Sequence, residues 1–442
     1  MIDNKEYVIN RSEFNDIEEL PGILERRAKG EILRWHISLV KGDEITVETT
    51  LFKKTREPMP LEETGVLFPG KSVVVSVVPT GVGCDIGGYA ADAAPSTNLL
   101  ASCVDYLITN PNAVNASNFI SMDENVFYTE GYTIDLFCKG ELNLYKPYAN
   151  KVGLIVEQAD RTSLEIVYNI INTVRAVHGV DIDADCVVVT DGPIGGRCVR
   201  LNSGAYVGAL NDPSGLFRAV EYLIRKGVNA IGITSNIRDL PAEEYAEHFN
   251  GKHPNPIGGA EAIISHLITH TYRIPAAHAP MINIKELNLK SNIVDARGAG
   301  EFASPSGLAC VLMGLRQAPQ LVKNNRCRIK DAVNIENLLA VVAPSGTLGG
   351  IPMLYARKYN IPVIAVKENK TILDVTYDKL NLKNVYEVNS YPEAAGLLLA
   401  LRRGISISSL YRPLETIRFQ TENRQSLQPG TVPAQDRVNA RR

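Results

Sequence analysis

The sequence predicts an α/β protein whose core is a largely parallel, doubly wound sheet, preceded by a small α+β module. From Ser72 onward, short continuous apolar runs alternate with amphipathic segments, which is typical of parallel strands buried on both faces and connected by helices. Before residue 70, apolar and polar residues alternate one by one, as in antiparallel strands with one solvated face. These two patterns decide the predicted fold class.

Residues 1–70 are expected to form the small module. Asp16 and Glu19 match a capping box, which predicts a helix over about residues 17–28. Residues 33–39 and 45–51 alternate apolar and polar side chains on either side of a polar turn, so we expect a β-hairpin there. Residues 52–70 carry several prolines and charges and are expected to be a linker.

The core is expected to span residues 71–420, and the polar residues 421–442 are expected to be a disordered tail. Its predicted strands are residues 73–78, 152–156, 186–190, 230–234, 338–343 and 362–366. Its predicted helices are residues 97–108, 163–177, 215–226, 258–271, 351–359 and 393–403. Residues 279–330 are less regular and are expected to form a lid or a subdomain.

The composition argues against several classes of protein. The 442 residues are 45% apolar and 21% charged with a net charge of −3, so neither a fibre nor a nucleic-acid-binding surface is indicated. No apolar run approaches the roughly 20 residues of a membrane helix, and the first residues lack the apolar segment of a secretory signal. The seven cysteines lack CxxC spacing. We therefore expect a cytoplasmic protein without nucleic-acid or membrane partners, and leave a homo-oligomer open.

Three of the predicted strands end in similar glycine-rich loops. Ligands of open α/β sheets bind at the carboxyl ends of strands, and glycines there let backbone N–H groups approach an anion. We therefore expect the loops to converge on a site for a carboxylate or a phosphate. The predicted binding residues are Thr80, Gly81, Gly83, Gly87 and Gly88 in the first loop, Gly195 and Gly196 in the second, and Ser345, Gly346, Thr347, Gly349 and Gly350 in the third.

Four further polar residues are predicted to contribute to this binding site. Lys367 follows the last of the predicted strands and is expected to bring a cation to the same edge. Asp92 follows the first loop and is expected to orient polar groups of the ligand. Asn112 and Asn115 lie in an asparagine-rich run after the first predicted helix, which is ordinary turn chemistry but could also supply amides.

The candidate catalytic residues are His278, His266 and Asp191. His278 lies in a proline-bracketed extended segment, where a rigidly held imidazole suits acid/base catalysis, and His266 is the second candidate proton carrier. Asp191 in the second loop could act as a base or cap its loop. His266 and His270 have the spacing of two metal ligands, but the glutamate of the zinc-protease pattern is missing, so no metal is predicted.

Two segments have the residue spacing of cofactor-binding motifs but lack the flanking strands and helices that those motifs require. Residues 65–72 have the Walker A spacing ending in Lys71, yet a linker precedes them and a strand follows, which is the reverse of a P-loop. Gly81, Gly83 and Gly87 imitate a dinucleotide fingerprint, but the next helix begins too late. No cofactor is therefore assigned. Cys84 is an alternative nucleophile, although a small buried cysteine is the commoner outcome.

Several long motifs resemble those of an uncharacterised bacterial and plastid family. They are residues 78–83, 86–95, 109–115, 130–132, 190–193, 259–267, 277–280 and 318–320, and the similarity spans about residues 72–410. The resemblance implies one core unit, and the family has no activity to carry over.

The sequence thus predicts an enzyme that acts on a small polar metabolite bearing a carboxylate or a phosphate, by group transfer or hydrolysis. The alternatives are a non-catalytic metabolite-binding or assembly protein and a nicotinamide-dependent oxidoreductase.

Overall fold

The computed structural model describes residues 2–53, 58–59, 70–111, 115–116, 119–120, 122–281, 293–304, 306–323 and 331–417. The strands in these residues are β1 (Ile2–Asn10), β2 (Glu31–Lys41), β3 (Glu44–Phe52), β4 (Val73–Ser76), β5 (Tyr106–Thr109), β6 (Asn115–Ala116), β7 (Phe119–Ile120), β8 (Val126–Tyr128), β9 (Leu142–Tyr145), β10 (Val152–Val156), β11 (Val187–Val189), β12 (Gly196–Arg200), β13 (Tyr206–Leu210), β14 (Ala230–Ser235), β15 (Ala276–Pro280), β16 (Gln320–Lys323), β17 (Leu338–Pro344), β18 (Val363–Val366) and β19 (Val385–Val388).

The α-helices of the same residues are α1 (Leu20–Arg27), α2 (Ala94–Ala101), α3 (Gly131–Cys138), α4 (Arg161–His178), α5 (Ser214–Arg225), α6 (Ala242–His248), α7 (Gly258–Tyr272), α8 (Ala299–Ala303), α9 (Gly307–Leu315), α10 (Ile351–Lys358), α11 (Tyr377–Leu380) and α12 (Tyr391–Arg402). None of these helices is long and apolar enough to cross a membrane.

The predicted N-terminal hairpin is present as β2 and β3, which pair antiparallel from Glu31 opposite Phe52 to Lys41 opposite Glu44. β1 pairs along the other edge of β3, and its first residue Ile2 faces Leu210 of β13. The sheet order is β12–β13–β1–β3–β2, so strands from residues 196–210 complete this sheet. The first strands of the chain therefore share one sheet with residues from its middle.

A six-stranded parallel sheet forms the first half of the core and has the order β8–β5–β4–β17–β18–β19. Counted along the chain, this is the doubly wound order 3-2-1-4-5-6, in which the direction of winding reverses between the two central strands. Here the reversal falls between β4 and β17. The predicted class, an α/β core with parallel sheets plus an antiparallel N-terminal sheet, is confirmed.

The parallel core contains a second sheet, of four strands, in the order β11–β10–β14–β15. Its winding reverses between β10 and β14. Helix α9 packs on β14 and β15 through buried apolar side chains, including Leu308 and Leu312. Part of the segment predicted as a lid is therefore a core helix.

The helix predicted over residues 97–108 is wrong in its second half. Helix α2 ends at Ala101, and Tyr106–Thr109 is strand β5, which lies between β4 and β8 in the sheet. The chain between them has no glycine or proline that would mark the change. Of the other predicted features, the tail, most of the linker and Asn112 lie outside the described residues.

Helix α7 lies directly on strand β13 because glycines face each other at the contact. A Cβ atom at Gly259 would lie 2.5 Å from the carbonyl oxygen of Tyr206 and 2.5 Å from Cα of Val207, and one at Gly208 would overlap Cα of Ala260. No side chain can rotate to relieve such contacts with backbone. This close approach sets the position of α7, which carries part of the site described next.

Candidate functional site

Two adjoining cavities lie at the point where the winding of the six-stranded sheet reverses. The smaller, about 60 Å³, is called here the polar chamber and is lined by Arg34, Thr80, Asn110, Glu130, Glu261, Ser265, His266 and His278, among others. The larger, about 110 Å³, has one wall from β2 and β3 and is called the apolar chamber after the buried Trp35, Ile37, Val82, Ile263 and Met353 in its lining, which also includes His36, Glu48 and Thr49. The two chambers share Arg34, Val77, Pro79, Thr80, Ala262 and His266 and therefore form one cleft.

His266 is held in the polar chamber by a buried carboxylate. Its Nδ1 lies 2.5 Å from Glu130 Oε2, and both side chains are about 3% exposed. Glu130 also caps α3, accepting hydrogen bonds from the N–H groups of Tyr132 and Thr133. Burial opposes ionisation of Glu130, but the charge and hydrogen bond of His266 and the donors of Thr133 outweigh it and lower its pKa. The other ring nitrogen, His266 Nε2, is buried without a hydrogen-bond partner in the described part of the chain.

His278 faces the same chamber from the middle of β15. Its Nε2 lies 2.8 Å from Ser235 Oγ at the end of β14, which fixes the orientation of the ring. Its Nδ1 is buried, has no hydrogen-bond partner among the described residues, and lies 3.8 Å from Glu261 Oε2. Burial lowers the pKa of His278 to about 3, against the opposing charge of Glu157. The imidazole is therefore neutral near pH 7.

Glu261 reaches the chamber from the first turn of α7. Burial raises the pKa of its carboxyl group to about 8, so at pH 7 it is mostly a neutral acid. A neutral acid thus faces the neutral imidazole of His278 across a gap too long for a direct hydrogen bond. The pKa of Glu261 lies near neutral pH, which suits a group that gives and takes a proton, and the neutral imidazole of His278 presents an unprotonated nitrogen beside it.

The proton on Glu261 makes a testable contribution to stability. The folded protein holds this proton up to about pH 8, whereas the unfolded chain releases it near pH 4.5. We therefore expect this group to lower the free energy of unfolding by about 1.4 kcal/mol per pH unit between those values. In Glu261→Gln, which stays neutral, that fall should be absent from urea unfolding between pH 5 and pH 9. The exposed Glu165→Gln is the control, and parallel curves for wild type and Glu261→Gln would contradict the expectation.

In space, His278 lies between Ser235 and Glu261, which is the arrangement of a serine, histidine and acid triad. Ser235, however, has no exposed surface and lines neither chamber. A nucleophile must reach the substrate. As placed, Ser235 therefore supports the imidazole and does not attack.

Two of the three predicted glycine loops lie side by side at the cleft, because β4 and β17 are neighbours in the sheet. Thr80 of the first loop lines both chambers, and Thr347 and Gly350 of the third loop line the apolar chamber. His266 and His278 join them there. This part of the predicted site is brought together by the strand order.

The glycines of these loops do not form an open anion cradle. A Cβ atom at Gly81, which has φ +72°, would overlap the carbonyl oxygen of Tyr206, and one at Gly349 would lie 2.6 Å from Ile37 Cβ. The added atom would likewise meet protein atoms at Gly83, Gly87, Gly88 and Gly346. The close contacts give these glycines a structural role: they let the loops pack against their neighbours.

The backbone of the third loop also differs from its prediction. The N–H of Ser345 donates to Val366 O at 3.0 Å, that of Thr347 to Pro344 O at 3.1 Å, and that of Leu348 to Val375 O at 2.9 Å. These donors are used within the protein. They are not available to a phosphate in this arrangement.

The second loop lies at a different site, because β11 is the edge strand of the four-stranded sheet. Gly195 and Asp191 line a separate open crevice of about 420 Å³. The Asp191 side chain is 84% exposed and lies 3.6 Å from Arg218 Nη2. Gly196 begins β12 and packs against Ile264. Asp191 is therefore not beside the histidines, and the expected convergence of three loops is wrong.

Three more predicted residues lie away from the cleft. Asp92 accepts a hydrogen bond from the N–H of Tyr89 at 3.2 Å, and burial raises its pKa to about 7. Lys367 Nζ pairs with Glu387 at 3.3 Å. Cys84 Sγ lies 3.3 Å from Pro79 O, and burial raises the pKa of its thiol. Asn115 belongs to β6, and its side chain, like Asn112, is outside the described residues.

The histidine pair of α7 does not face a common metal position. His266 contacts Glu130, whereas His270 Nε2 lies 2.9 Å from Glu31 Oε1 on β2. In the described part of the chain, three candidate metal-ligand atoms come within 4.8 Å of one another at Asp183, Asp185 and Cys186. Both aspartates there pair with lysines, so that group has a structural explanation.

Sequence reasoning missed the two glutamates and the arginine of the polar chamber. Glu130 and Glu261 belong to the motifs of the family resemblance, but Glu261 in a first helical turn has the pattern of a solvated carboxylate favoured by the helix dipole. Arg34 occupies a polar position of an alternating strand, which predicts exposure. In the structure its Nε donates to Asp135 Oδ2 at 3.1 Å. No local signal distinguishes such residues.

Most of the cleft lies in the part of the chain that matches a known protein family. Residues 73–411 match the family described as "Protein of unknown function (DUF3326)". The chain is also 34% identical over 344 residues to a Synechococcus sp. protein named "Uncharacterized lipoprotein", an alignment that covers 77% of this chain and 94% of that protein. The matched residues include every polar-chamber residue except Arg34, whereas β1 to β3 precede them.

Proposed function

The chain belongs to the DUF3326 family, and we propose that it is an enzyme that acts on a small metabolite bearing a carboxylate or a phosphate, by group transfer or hydrolysis. One observation carries the proposal: the neutral acid of Glu261 and the neutral imidazole of His278 face each other 3.8 Å apart in a cavity at the reversal of the sheet. Buried groups with strongly shifted pKa values in a cleft are typical of catalytic sites.

Arg34 supplies the contact to the anion. Among the described residues it is the one lysine or arginine that lines either chamber, and its bond to Asp135 holds the guanidinium in place. The Nε2 atom of His266 lies nearby without a partner and offers a second contact. A guanidinium recognises planar carboxylates and phosphates with paired hydrogen bonds.

Proton transfer between Glu261 and His278 completes the proposed hydrolysis. With Nε2–H of His278 donated to Ser235 Oγ, Nδ1 is free to accept a proton from an attacking water. The water oxygen bonds to the substrate carbon or phosphorus atom that carries the leaving group, and the bond from that atom to the leaving group breaks as Glu261 donates its proton to the leaving group. The proton on His278 then returns to Glu261 across the gap, which restores both groups.

Glu261→Gln is expected to lower turnover at least about a hundredfold, the lower end of the usual contribution of a positioned acid. The purified protein is incubated with a metabolite extract, and depleted acids are identified by mass spectrometry. Wild-type turnover should fall as the pH rises through about 8, because Glu261 then loses its proton. Glu165→Gln, which changes an exposed glutamate of α4, should match wild type. Equal turnover in Glu261→Gln would contradict the assigned role.

A non-catalytic metabolite-binding protein is the second candidate. One observation supports it: among the described residues, no activated nucleophile lines the chambers. Cys84 is buried elsewhere, and Ser235 lies behind His278. An acid that binds wild type without being depleted would support this candidate over the enzyme.

We also propose a reducing, cytoplasmic location, since the six cysteines of the described residues are all buried free thiols. The name of the Synechococcus relative makes a lipid-anchored form the alternative. Fractionation of cells that express the tagged chain, followed by detection in the soluble or the membrane fraction, distinguishes the two.

A further inference from the structure

We propose that the apolar chamber holds the non-reacting part of the substrate, which is therefore an acid with a compact hydrocarbon group rather than a fully polar metabolite. This inference rests on the proposed function, because the acid group is the part that lies in the polar chamber. The six residues shared by the two chambers allow one molecule to span both.

The walls of the apolar chamber come from separate elements of the fold. Trp35 and Ile37 come from β2, Ile263 from α7, Met353 from α10 and Val82 from the first loop, and all five are buried. Protein interiors are normally filled to the density of organic crystals, and side chains that line a void lose contacts on one side. A hydrocarbon group in the chamber would restore those contacts.

Backbone hydrogen bonds join the walls of this space to one another. The N–H of Ile37 donates to Gly349 O at 3.1 Å, and the N–H of Tyr206 donates to Gly81 O at 2.9 Å. The N-terminal sheet is thereby fastened to both loops at the cleft. The chamber is a fixed feature of the packing.

The volume limits the size of the group. An apolar cavity of roughly 150 Å³ holds one benzene molecule. The apolar chamber measures about 110 Å³, and the polar chamber about 60 Å³. A branched group of about four carbons is therefore the appropriate size, with a single carboxylate or phosphate beside it.

Charge does not distinguish the two chambers, because each is lined by a buried carboxylate that is paired with a histidine. Glu48 of the apolar chamber lies 3.1 Å from His36 Nε2, and Glu130 of the polar chamber lies 2.5 Å from His266 Nδ1. Arg34 lines both chambers. An acid group on Arg34 therefore leaves the larger of the two spaces, the apolar chamber, to the hydrocarbon group.

Trp35 makes the chamber directly observable, because it is the single tryptophan of the chain. The probes are acetate and 3-methylbutanoate, with isobutyl phosphate as the phosphate counterpart of 3-methylbutanoate. We expect 3-methylbutanoate to bind at least about tenfold more tightly than acetate, since each buried methylene is worth about fourfold in affinity. It should also change the emission of Trp35. The tighter of the two isobutyl probes identifies the acid group.

Two variants keep the test specific to the chamber. Val82→Leu narrows it and should weaken the binding of 3-methylbutanoate at least about tenfold while leaving the binding of acetate unchanged. The control carries Trp35→Phe with Tyr168→Trp, which moves the reporter to the exposed surface of α4, where no probe should change its emission.

Calorimetry with the same probes separates the two proposals. If all the acids bind with the same affinity, whatever their hydrocarbon group, and the emission of Trp35 does not change, the chamber proposal is overturned. The proposed function would still stand. If no acid of any length binds the folded wild-type protein, both proposals fail. Should Val82→Leu not fold, the wild-type series alone still decides the result.

Discussion

Replacing Gly259 with alanine is expected to lower the free energy of unfolding by about 3 kcal/mol or more, the upper end of the usual cost of overpacking. The added Cβ would lie 2.5 Å from the carbonyl oxygen of Tyr206 and from Cα of Val207, so α7 or β13 must move. Because α7 carries Glu261 and His266, the same change should abolish acid binding in the cleft. Urea unfolding and the probe titration measure the two effects.

The matched control for this change is Gly396→Ala. Gly396 lies in the exposed interior of α12, where an added Cβ meets nothing within 4 Å. Alanine there should stabilise the protein by about 0.5–1 kcal/mol through its higher helix propensity. A Gly259→Ala protein as stable as wild type would show that α7 tolerates displacement from β13, and would contradict the close contact on which the geometry of the site depends.

Glu130→Ala is expected to cost about 3 kcal/mol or more at neutral pH. The change removes the cap of α3 and leaves His266 buried without its carboxylate, and each loss is destabilising in its own right. The pKa of Glu130 is lowered in the fold, so its stabilisation is present above the unfolded value of 4.5 and is lost as the pH falls through the folded value. The difference between wild type and variant should therefore shrink in acid.

Glu31→Ala provides the comparison for this prediction. Glu31 of β2 pairs with His270, which lies on α7 as His266 does. The side chain of Glu31 is 33% exposed, and it caps no helix. We expect a loss of about 1 kcal/mol, as for pairs that water screens. Equal losses of unfolding free energy in the two variants would show that burial does not make the Glu130 pair more stabilising than the Glu31 pair. The same would follow if the difference in unfolding free energy between wild type and Glu130→Ala persisted unchanged below pH 4.

The two glutamates of the polar chamber respond to pH in opposite directions. Glu130 has partners that stabilise its charge, so its pKa falls on folding, whereas Glu261 has only burial, which raises its pKa to about 8. Their positions in the sequence contain no sign of this difference. It arises from what lies near each carboxylate in space.

The sequence was sufficient to predict the strands and helices whose buried face can be read from the pattern of apolar residues within the segment itself. Strands such as β10 and β14 are short and largely apolar, α4 and α5 have a helical apolar period, and apolar residues recur at every second position in most of β2 and β3. The same reasoning placed His266 and His278 among the site residues. It failed at β5, where no glycine or proline separates the strand from the preceding helix. It also failed at β12 and β13, which pair with each other and join their sheet through β1, in the first residues of the chain.

The sequence by itself determined the α/β class and the approximate bounds of core elements such as β10, β14, α4 and α7, because the periodicity of apolar residues records which face of each segment is buried. Only the tertiary structure decided the order of the strands, and with it which loops meet. It placed the first and third loops together at the reversal of one sheet and the second loop at the edge of another. It also decided the chemistry of Glu130 and Glu261, since the pKa of a carboxyl group depends on neighbours that lie far away along the chain.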